Sequence, residues 1–439
     1  MVLNQLARVR VPSFGRNVAV VATGTAVAQA IPIVLTPILT RLYAPDDMGM
    51  LGLYTAFISF ATNALSLGYS QAIVSGRTDD EAAALTALSG VVLVPMSLFS
   101  IGLFSLFSAQ DWLGFGEFPV WTIPAMLLSL VFTGLFFTLR YWLIREESYR
   151  TISTSTVKQS IGRMGTQVLA GIVGLQWVGL VLGEVVGRGT GLTGLWAEAG
   201  TRLRHHVGKL DRSTLKQVAK RYRKFPLLTT PSSVLNSLSL VLPVPLITMF
   251  FGIHAAGQFT VASRVMLLPL SVIGGSVGDV FHSRIASLSR RAPNRAMRLF
   301  LSVAFGLFLV GLLPALVMSA WGQDIFSLVL GKEWSDSGLI ASSIVPWVLM
   351  QFTVNPLSRL VQVYQGQELK LVYDTLALIS VGGVLTFGYY ADWSVIETTT
   401  LLGWSQASVY GIYLFLLVRI LIRNRMINAT LEKDESNAP

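Results

Sequence analysis

Long apolar runs are the feature that most restricts what this chain can fold into. A helix needs roughly 20 apolar residues to cross a bilayer. The sequence contains twelve such runs, at 17–40, 49–74, 82–107, 120–143, 155–174, 177–199, 227–250, 257–281, 299–320, 338–358, 371–390 and 398–420. Only 13% of the residues are charged, whereas soluble domains carry about 25%. The sequence therefore predicts an all-α, polytopic membrane protein with about twelve transmembrane helices.

The positions of lysine and arginine predict the orientation of these helices. If the N-terminus is cytoplasmic, 27 of the 33 Lys and Arg fall on the cytoplasmic side, and only Arg41 and Lys332 lie in outward loops. Cytoplasmic loops collect Lys and Arg. We therefore expect a protein of the cytoplasmic (inner) membrane with both termini cytoplasmic. The net charge of +10 does not indicate a nucleic-acid partner, because no soluble module is available to present it.

The longest polar stretch, Thr201 to Phe225, lies near the middle of the chain. It predicts an N-terminal six-helix half (1–200), a basic cytoplasmic linker (201–225), a C-terminal six-helix half (226–423) and a polar cytoplasmic tail (424–439). The linker is either a membrane-surface segment attracted to anionic lipid or a regulatory segment.

The two halves are similar to each other. A shift of 208 positions places Thr40–Thr55 on Thr248–Ser263, and Gly49 then meets Gly257. Six spans per half is an even number, so both halves enter the membrane from the same side. Such a parallel repeat occurs in transporters, where binding sites lie between the repeats.

Enzymatic constellations are missing from the sequence. There is no cysteine, which excludes thiol nucleophiles and thiolate metal sites. The histidine pair His205-His206 has no carboxylate at ligand spacing, and no glycine-rich phosphate loop is present. We expect neither an enzyme nor a protein with a cofactor or a metal.

Charged residues inside the spans are the candidate functional residues, because an ionisable group in hydrocarbon normally faces a partner or a watery cavity. Glu184 and Arg188 lie at i, i+4 in the sixth span. They form either an internal ion pair or part of a binding site. Arg264 in the eighth span has no acid nearby in sequence, so its partner comes from elsewhere or is an anionic ligand.

The remaining charges in or near the spans allow more than one interpretation. Lys158 and Arg163 stand among several Ser and Thr in the fifth span, which is typical of the wall of a hydrated cavity. Asp374 in the eleventh span either carries a coupling proton or lies at the membrane interface. Asp279 is either a coupling residue or a helix-end residue in water. Glu184 is a third candidate for ion coupling.

Several segments together resemble a known family. They are Leu39–Pro45 (LTRLYAP), Leu65–Tyr69 (LSLGY), Tyr141–Arg145 (YWLIR), Ala256–Phe259 (AGQF), Ala262–Arg264 (ASR), Leu330–Trp334 (LGKEW) and Pro356–Arg359 (PLSR). In this order and spacing they resemble the polysaccharide-export branch of the multidrug/oligosaccharidyl-lipid/polysaccharide (MOP) exporter superfamily. Its members are flippases for lipid-linked oligosaccharides, including O-antigen and exopolysaccharide intermediates.

The resemblance implies two six-helix bundles around a central cavity that opens alternately to each face. The implied cargo is a glycan on a polyprenyl pyrophosphate. The implied partners are membrane lipids and a polysaccharide polymerase or other assembly proteins. Coupling to H⁺ or Na⁺ is also implied. The family pattern makes Arg264 a cavity cation and places Arg41 at the outer mouth.

Three other functions compete with lipid-linked oligosaccharide flipping. A drug/cation antiporter of the same superfamily normally needs acidic residues in its cavity, whereas the charges in these spans are mostly basic. A membrane glycosyl transferase or polymerase needs a larger outward loop than this chain has. A non-transporting scaffold is the third alternative, and the charges retained within the spans argue against it.

Overall fold

The computed structural model describes residues 11–208, 211–291, 293–364 and 366–436, and these residues are almost entirely helical. The helices are α1 Val11–Leu42, α2 Pro45–Thr62, α3 Tyr69–Ala72, α4 Asp79–Ala109, α5 Thr122–Arg145, α6 Tyr149–Ile172, α7 Gln176–Val207, α8 Arg212–Arg221, α9 Thr230–Val241, α10 Pro243–Arg291, α11 Pro293–Leu330, α12 Ser335–Ser343, α13 Val345–Val354, α14 Leu360–Val363, α15 Gln367–Tyr390 and α16 Val395–Ser436. In a bilayer this content is expected, since a helix satisfies its backbone polar groups within one segment.

Residues at the helix starts follow ordinary capping chemistry. The Thr78 hydroxyl accepts the backbone N–H of Glu81 at 3.2 Å at the start of α4. At the start of α8 a carboxylate oxygen of Asp211 accepts the backbone N–H of Thr214 at 2.8 Å. Such caps satisfy donors that have no partner within the helix. Hydrogen bonds from the hydroxyl and backbone of Thr214 lower the pKa of Asp211 to about 2.

Glycine and proline occur at one break and one start of these helices, and also inside a continuous helix. Gly252 lies inside α10 with φ of 87° and ψ of 168°, a conformation that glycine adopts without steric cost. It separates the two parts of α10 that correspond to the predicted seventh and eighth spans. Pro243 begins α10, whereas α1 continues through Pro32 and Pro37.

Seven helices in the described part of the chain are long and apolar enough to cross a membrane, and an eighth is added if the bent pair Lys332–Ser343 and Val345–Val363 is one span. The number is below twelve for identifiable reasons. The stretch Phe225–Leu267 counts once although it bends at Gly252. Helix α2, which begins with Asp46 and Asp47, and helices α6 and α7, which carry several charged and hydroxyl side chains, are not apolar enough to be counted.

Large apolar side chains are exposed along the outer faces of these helices. Val94 and Phe99 on α4 and Phe305, Leu313 and Leu316 on α11 are all exposed. Contiguous apolar surface of this kind is rare on soluble monomers. These faces are therefore lipid-facing.

The chain forms two compact units. The first contains the chain up to Tyr43 together with Phe57–Val234, and the second contains Ala44–Ala56 together with the chain from Leu235 onward. The start of α2 thus belongs to the second unit. The division at residues 200, 225 and 423 stays a prediction.

In the first unit, α8 in the linker packs on the ends of other helices. Val218 of α8 is buried in an apolar cluster with Leu85 and Leu139. Arg221 pairs with Glu81 at 2.5 Å, so the apolar face and one end of the amphipathic helix are both held. Its remaining basic residues, Arg212, Lys216 and Lys220, are exposed.

Glycines allow α6 and α7 to pack closely in the first unit. A Cβ on Gly183 would lie 2.9 Å from the backbone oxygen of Arg163, and a Cβ on Gly187 would lie 2.9 Å from that of Gln159. Small residues let the backbones of membrane helices approach in this way. The close packing brings Arg163 of α6 against the face of α7 that carries Glu184.

We expect Gly183→Ala and Gly187→Ala to destabilise the first unit by about 1–3 kcal/mol, because an added methyl group overpacks the α6–α7 contact. Thermal unfolding in detergent measures the effect. Gly165→Ala on α6 is the matched control, since nothing lies within 4 Å of its Cβ position. An equal loss of stability in all three variants would contradict the packing argument.

Candidate functional site

A buried carboxylate between two arginines is the principal charged site of the first unit. The side chain of Glu184 on α7 is 2% exposed. Its Oε2 lies 3.0 Å from Nη2 of Arg188, one turn along the same helix, and its Oε1 lies 3.5 Å from Nη1 of Arg163 on α6. Arg188 also donates from Nη1 to the Thr133 hydroxyl on α5 at 2.7 Å. Residues of three helices are thus linked through Glu184 and Arg188, and we call these four residues the Glu184 cluster.

The Glu184 cluster carries more positive than negative charge. One carboxylate faces two guanidinium groups, which leaves a surplus of one positive charge. The Nε atoms of Arg163 and Arg188 are buried and have no hydrogen-bond partner among the described residues. Arginine has five N–H donors in a planar fork, so this site has N–H capacity beyond what Glu184 uses. The chemistry of the cluster suits an anion with several oxygen atoms.

Lys158 lies near the same pair of helices but is exposed. Its Nζ is 3.9 Å from the position that a Cβ on Gly194 of α7 would occupy. The structure therefore brings the candidates Arg163, Arg188 and Glu184 into one cluster. Lys158 lies outside this cluster, on the exposed surface of the first unit.

Arg41 and Arg264 occupy different settings. Arg41 is exposed in the last turn of α1, where its Nη1 donates to the backbone oxygen of Pro37 at 2.8 Å. A basic side chain in this position satisfies a terminal carbonyl of its own helix. Arg264 is half-buried in the second part of α10, within the second unit.

Asp374 is the buried acid of the second unit. Its side chain is 3% exposed, and its Oδ2 accepts a hydrogen bond from Nζ of Lys370 at 2.7 Å. Its Oδ1 accepts from the Asn236 amide on α9 at 2.7 Å, and the Ser239 hydroxyl donates to its backbone oxygen at 3.1 Å. The ring of Tyr373 stacks on that of Tyr413 beside it, with centroids 4.4 Å apart. The carboxylate is enclosed by protein, with one cation within bonding distance.

Asp279 differs from the other two acids because its side chain is 71% exposed. It forms an ion pair with Arg359 at 3.3 Å. Exposed pairs of this kind contribute about 0–1 kcal/mol. Asp279 is exposed but does not lie at a helix end, because α10 continues to Arg291.

A cavity of about 860 Å³ opens elsewhere in the first unit. It is lined by Val74, Asp79, Trp142, Ile144, Arg145, Glu146, Glu147, Tyr149, Arg202 and His206. None of the candidate site residues from the sequence lines it. Its walls carry charges of both signs, which gives it no clear ligand preference.

Three site residues could not be identified from the sequence. Thr133 lies on α5 and Asn236 and Ser239 lie on α9, and both helices carry several other polar side chains, so nothing in the sequence singles these three residues out. Polar side chains within membrane helices commonly hydrogen-bond across to another helix. The partner of each is far away in sequence, so local spacing does not reveal it.

Comparison with known proteins places these observations in a family. The profile of the family described as "Polysaccharide biosynthesis protein" matches residues 38–338, which is more than half of the chain. No individually curated protein matches the sequence.

Solved structures show the same fold at low sequence identity. The lipid II flippase MurJ in an inward closed conformation matches with a TM-score of 0.67 and 12% identity, covering 95% of this chain and 93% of that one. An inward-facing multidrug resistance MATE transporter of the MOP superfamily matches with a TM-score of 0.65 and 13% identity, covering 92% and 96%. A MOP transporter from Pyrococcus furiosus, described as having a binding pocket of reverse polarity, matches with a TM-score of 0.60 and 13% identity, covering 95% and 96%.

These matches confirm the all-α, twelve-helix membrane fold predicted from the apolar runs. They account for the shortfall in the apolarity count, because spans rich in polar residues still belong to the fold. The chain belongs to the polysaccharide biosynthesis protein family and has the fold of the MOP-superfamily transporters.

Proposed function

We propose that this protein is a flippase for a polyprenyl-pyrophosphate-linked oligosaccharide. It moves the glycan from the cytoplasmic to the outer leaflet of the inner membrane by alternating access, and it supplies surface polysaccharide biosynthesis. The observation that carries the proposal is the surplus of positive charge at the Glu184 cluster, on membrane-spanning helices of a polysaccharide biosynthesis family member.

A pyrophosphate headgroup needs the kind of site that this cluster can form. Phosphate oxygens and sugar hydroxyls cannot enter hydrocarbon without hydrogen-bond partners. Arginine binds phosphate through two parallel N–H···O bonds, which are stronger than bonds between neutral groups. Glu184 holds Arg188 at 3.0 Å and Arg163 at 3.5 Å, so both guanidinium groups are positioned before the cargo arrives. The polyprenyl tail can remain in the bilayer.

A drug/cation antiporter is the second candidate, and the placement of the buried acids argues against it. A cationic cargo needs a carboxylate with capacity to spare. Glu184 lies between two arginines, and Asp374 lies 2.7 Å from the Lys370 ammonium. Both acids already face cations. A polarity that differs between superfamily members is also the property named for the Pyrococcus furiosus relative.

Coupling to an ion gradient belongs to the proposal as well. Asp374 is the preferred coupling residue, because it is buried, whereas Asp279 is exposed and Glu184 is shared by two arginines. Exchange of the Lys370 ammonium for another cation at Asp374 is a simple way to link protonation or Na⁺ binding to a helix movement. Both termini are proposed to be cytoplasmic. Polysaccharide polymerase and other assembly proteins are proposed as further partners.

The sidedness of the lipid-linked glycan tests the function directly. Cells that lack a redundant flippase are depleted of this protein, and glycan exposure is measured in sealed, oriented membrane vesicles. We expect the intermediate to accumulate on the cytoplasmic leaflet and to be released when the protein is restored. Unchanged amount and sidedness would reject the flippase and favour the antiporter, for which drug sensitivity is the next measurement.

Arginine variants test the anionic headgroup. We expect Arg188→Lys, Arg163→Lys and Arg264→Ala each to slow flipping by about tenfold or more, because a lost charge-assisted bond costs about 1.5–3 kcal/mol. The vesicle assay measures the rate, at matched expression. Arg284→Ala, on the same helix as Arg264 but exposed, is the control and keeps its rate. A fully active Arg264→Ala variant removes Arg264 from the cargo site.

The charge balance of the cluster makes a separate prediction about stability. Glu184→Gln leaves two guanidinium groups facing each other, and we expect it to cost roughly 3 kcal/mol. Adding Arg188→Met removes one of those charges and restores part of the loss. Thermal unfolding in detergent measures both variants, and a double variant less stable than Glu184→Gln alone would contradict the assigned charges.

A further inference from the structure

The linker between the halves carries a row of cations on one side of α8. Arg212, Lys216 and Lys220 lie at successive i, i+4 positions of this helix, and residues at that spacing share one helix face. Two further cations, Arg223 and Lys224, follow directly after α8, and all five side chains are exposed. We call these five residues the cation stripe.

The protein itself fixes the direction in which the cation stripe points. Val218 stands midway between two of the lysines in sequence and therefore lies on the opposite face of α8. It is 5% exposed in the apolar cluster of the first unit, and Leu215 and Ala219 pack against the same cluster. Just after α8, the Tyr222 hydroxyl donates to the backbone oxygen of Ser75 at 3.2 Å. The apolar face of α8 is thus occupied by protein, and the stripe points outward.

The cations of the stripe are not neutralised by acids of the described chain. Helix α8 contains no acidic residue. The carboxylate of Asp211 accepts hydrogen bonds from the Ser213 hydroxyl and the Thr214 backbone, and Glu81 pairs with Arg221, which is not part of the stripe. Among the described residues, no ion pair includes a stripe residue. Like charges at i, i+4 destabilise a helix, so anions from outside the chain would stabilise this one.

Exposed leucines show what lies beside the end of the stripe. Leu227 and Leu228 are 67% and 66% exposed, and they follow Lys224 by three and four residues. They lie in the stretch Phe225–Leu267, which is apolar enough to cross a membrane. The exposed side chains thus change from basic to apolar within about one helical turn, a distance of about 5 Å. Basic side chains at the end of a span reach the headgroup layer.

We propose that the cation stripe binds the phosphate groups of anionic phospholipids and so holds α8 at the membrane surface. Negatively charged lipid surfaces attract basic segments next to a span. The stripe extends over about 18 Å, so its cations face several headgroups and not one. An acidic protein is the competing partner for a basic face, and the adjacent leucines favour lipid. The lipid surface does not depend on which cargo the protein transports.

Lipid binding to the full-length protein tests the stripe. The protein in detergent is titrated with phosphatidylglycerol, which is anionic, or with phosphatidylcholine, which is zwitterionic, and bound lipids are counted by native mass spectrometry. We expect phosphatidylglycerol to bind more tightly. Lys216→Gln with Lys220→Gln weakens that binding about fivefold for each lysine, or about 25-fold for the pair, and leaves phosphatidylcholine binding unchanged.

Two control variants separate the stripe from net charge and from the fold. Arg295→Gln with Arg298→Gln removes the same charge from exposed positions of α11, and we expect it to keep the affinity for phosphatidylglycerol. Lys216→Arg with Lys220→Arg preserves the charge of the stripe and keeps the affinity as well. Equal weakening by both glutamine pairs overturns the stripe as the site, and weakening by the arginine pair overturns recognition by charge.

The source of the phosphate is tested by competition. We expect inorganic phosphate, in large excess over the lipid, to leave phosphatidylglycerol bound. Full displacement would assign the stripe to free phosphate and overturn the lipid site. Equal binding of the two lipids by the wild-type protein would also overturn it and leave an acidic protein as the partner. None of these measurements requires transport, so their result stands whether or not the protein flips a glycan.

Discussion

A chain surrounded by hydrocarbon must satisfy its backbone polar groups within itself, and the rest of this structure depends on that constraint. Because of this constraint the described residues are helical, and functional sites are formed by side chains on helix faces that pack against one another. The Glu184 cluster is a meeting of three such faces, on α5, α6 and α7. It forms because Gly183 and Gly187 allow α6 and α7 to approach closely. The close approach of the α6 and α7 backbones therefore brings Arg163 within reach of Glu184.

The two buried acids illustrate how charge is accommodated at this depth. An uncompensated charge in a low-dielectric setting is costly, and each acid is matched by a cation on its own helix one turn away: Glu184 with Arg188, and Asp374 with Lys370. The two sites differ in their balance. Glu184 faces two cations and Asp374 faces one, which is why we assign anion binding to the first and ion coupling to the second.

The sequence predicted the features that repeat locally and missed those that join distant segments. Continuous apolar runs predicted α4 and α5, and the i, i+4 spacing indicated the pairing of Glu184 with Arg188. It could not show that Arg163 completes the cluster or that Asn236 binds Asp374, because these contacts depend on how helices rotate against one another. Helices α6 and α7 carry many polar side chains, and each therefore looks too hydrophilic to span a membrane when its sequence is judged alone.

The 2.8 Å contact between Oδ1 of Asp46 and Nδ1 of His254 has a consequence for how the sequence can change. These two residues lie 208 positions apart, the same offset that aligns Thr40–Thr55 with Thr248–Ser263. Positions that this alignment pairs with each other therefore hold an acid and a base in contact. A substitution at one position changes the partner of the other, so the two positions are expected to change together in related sequences.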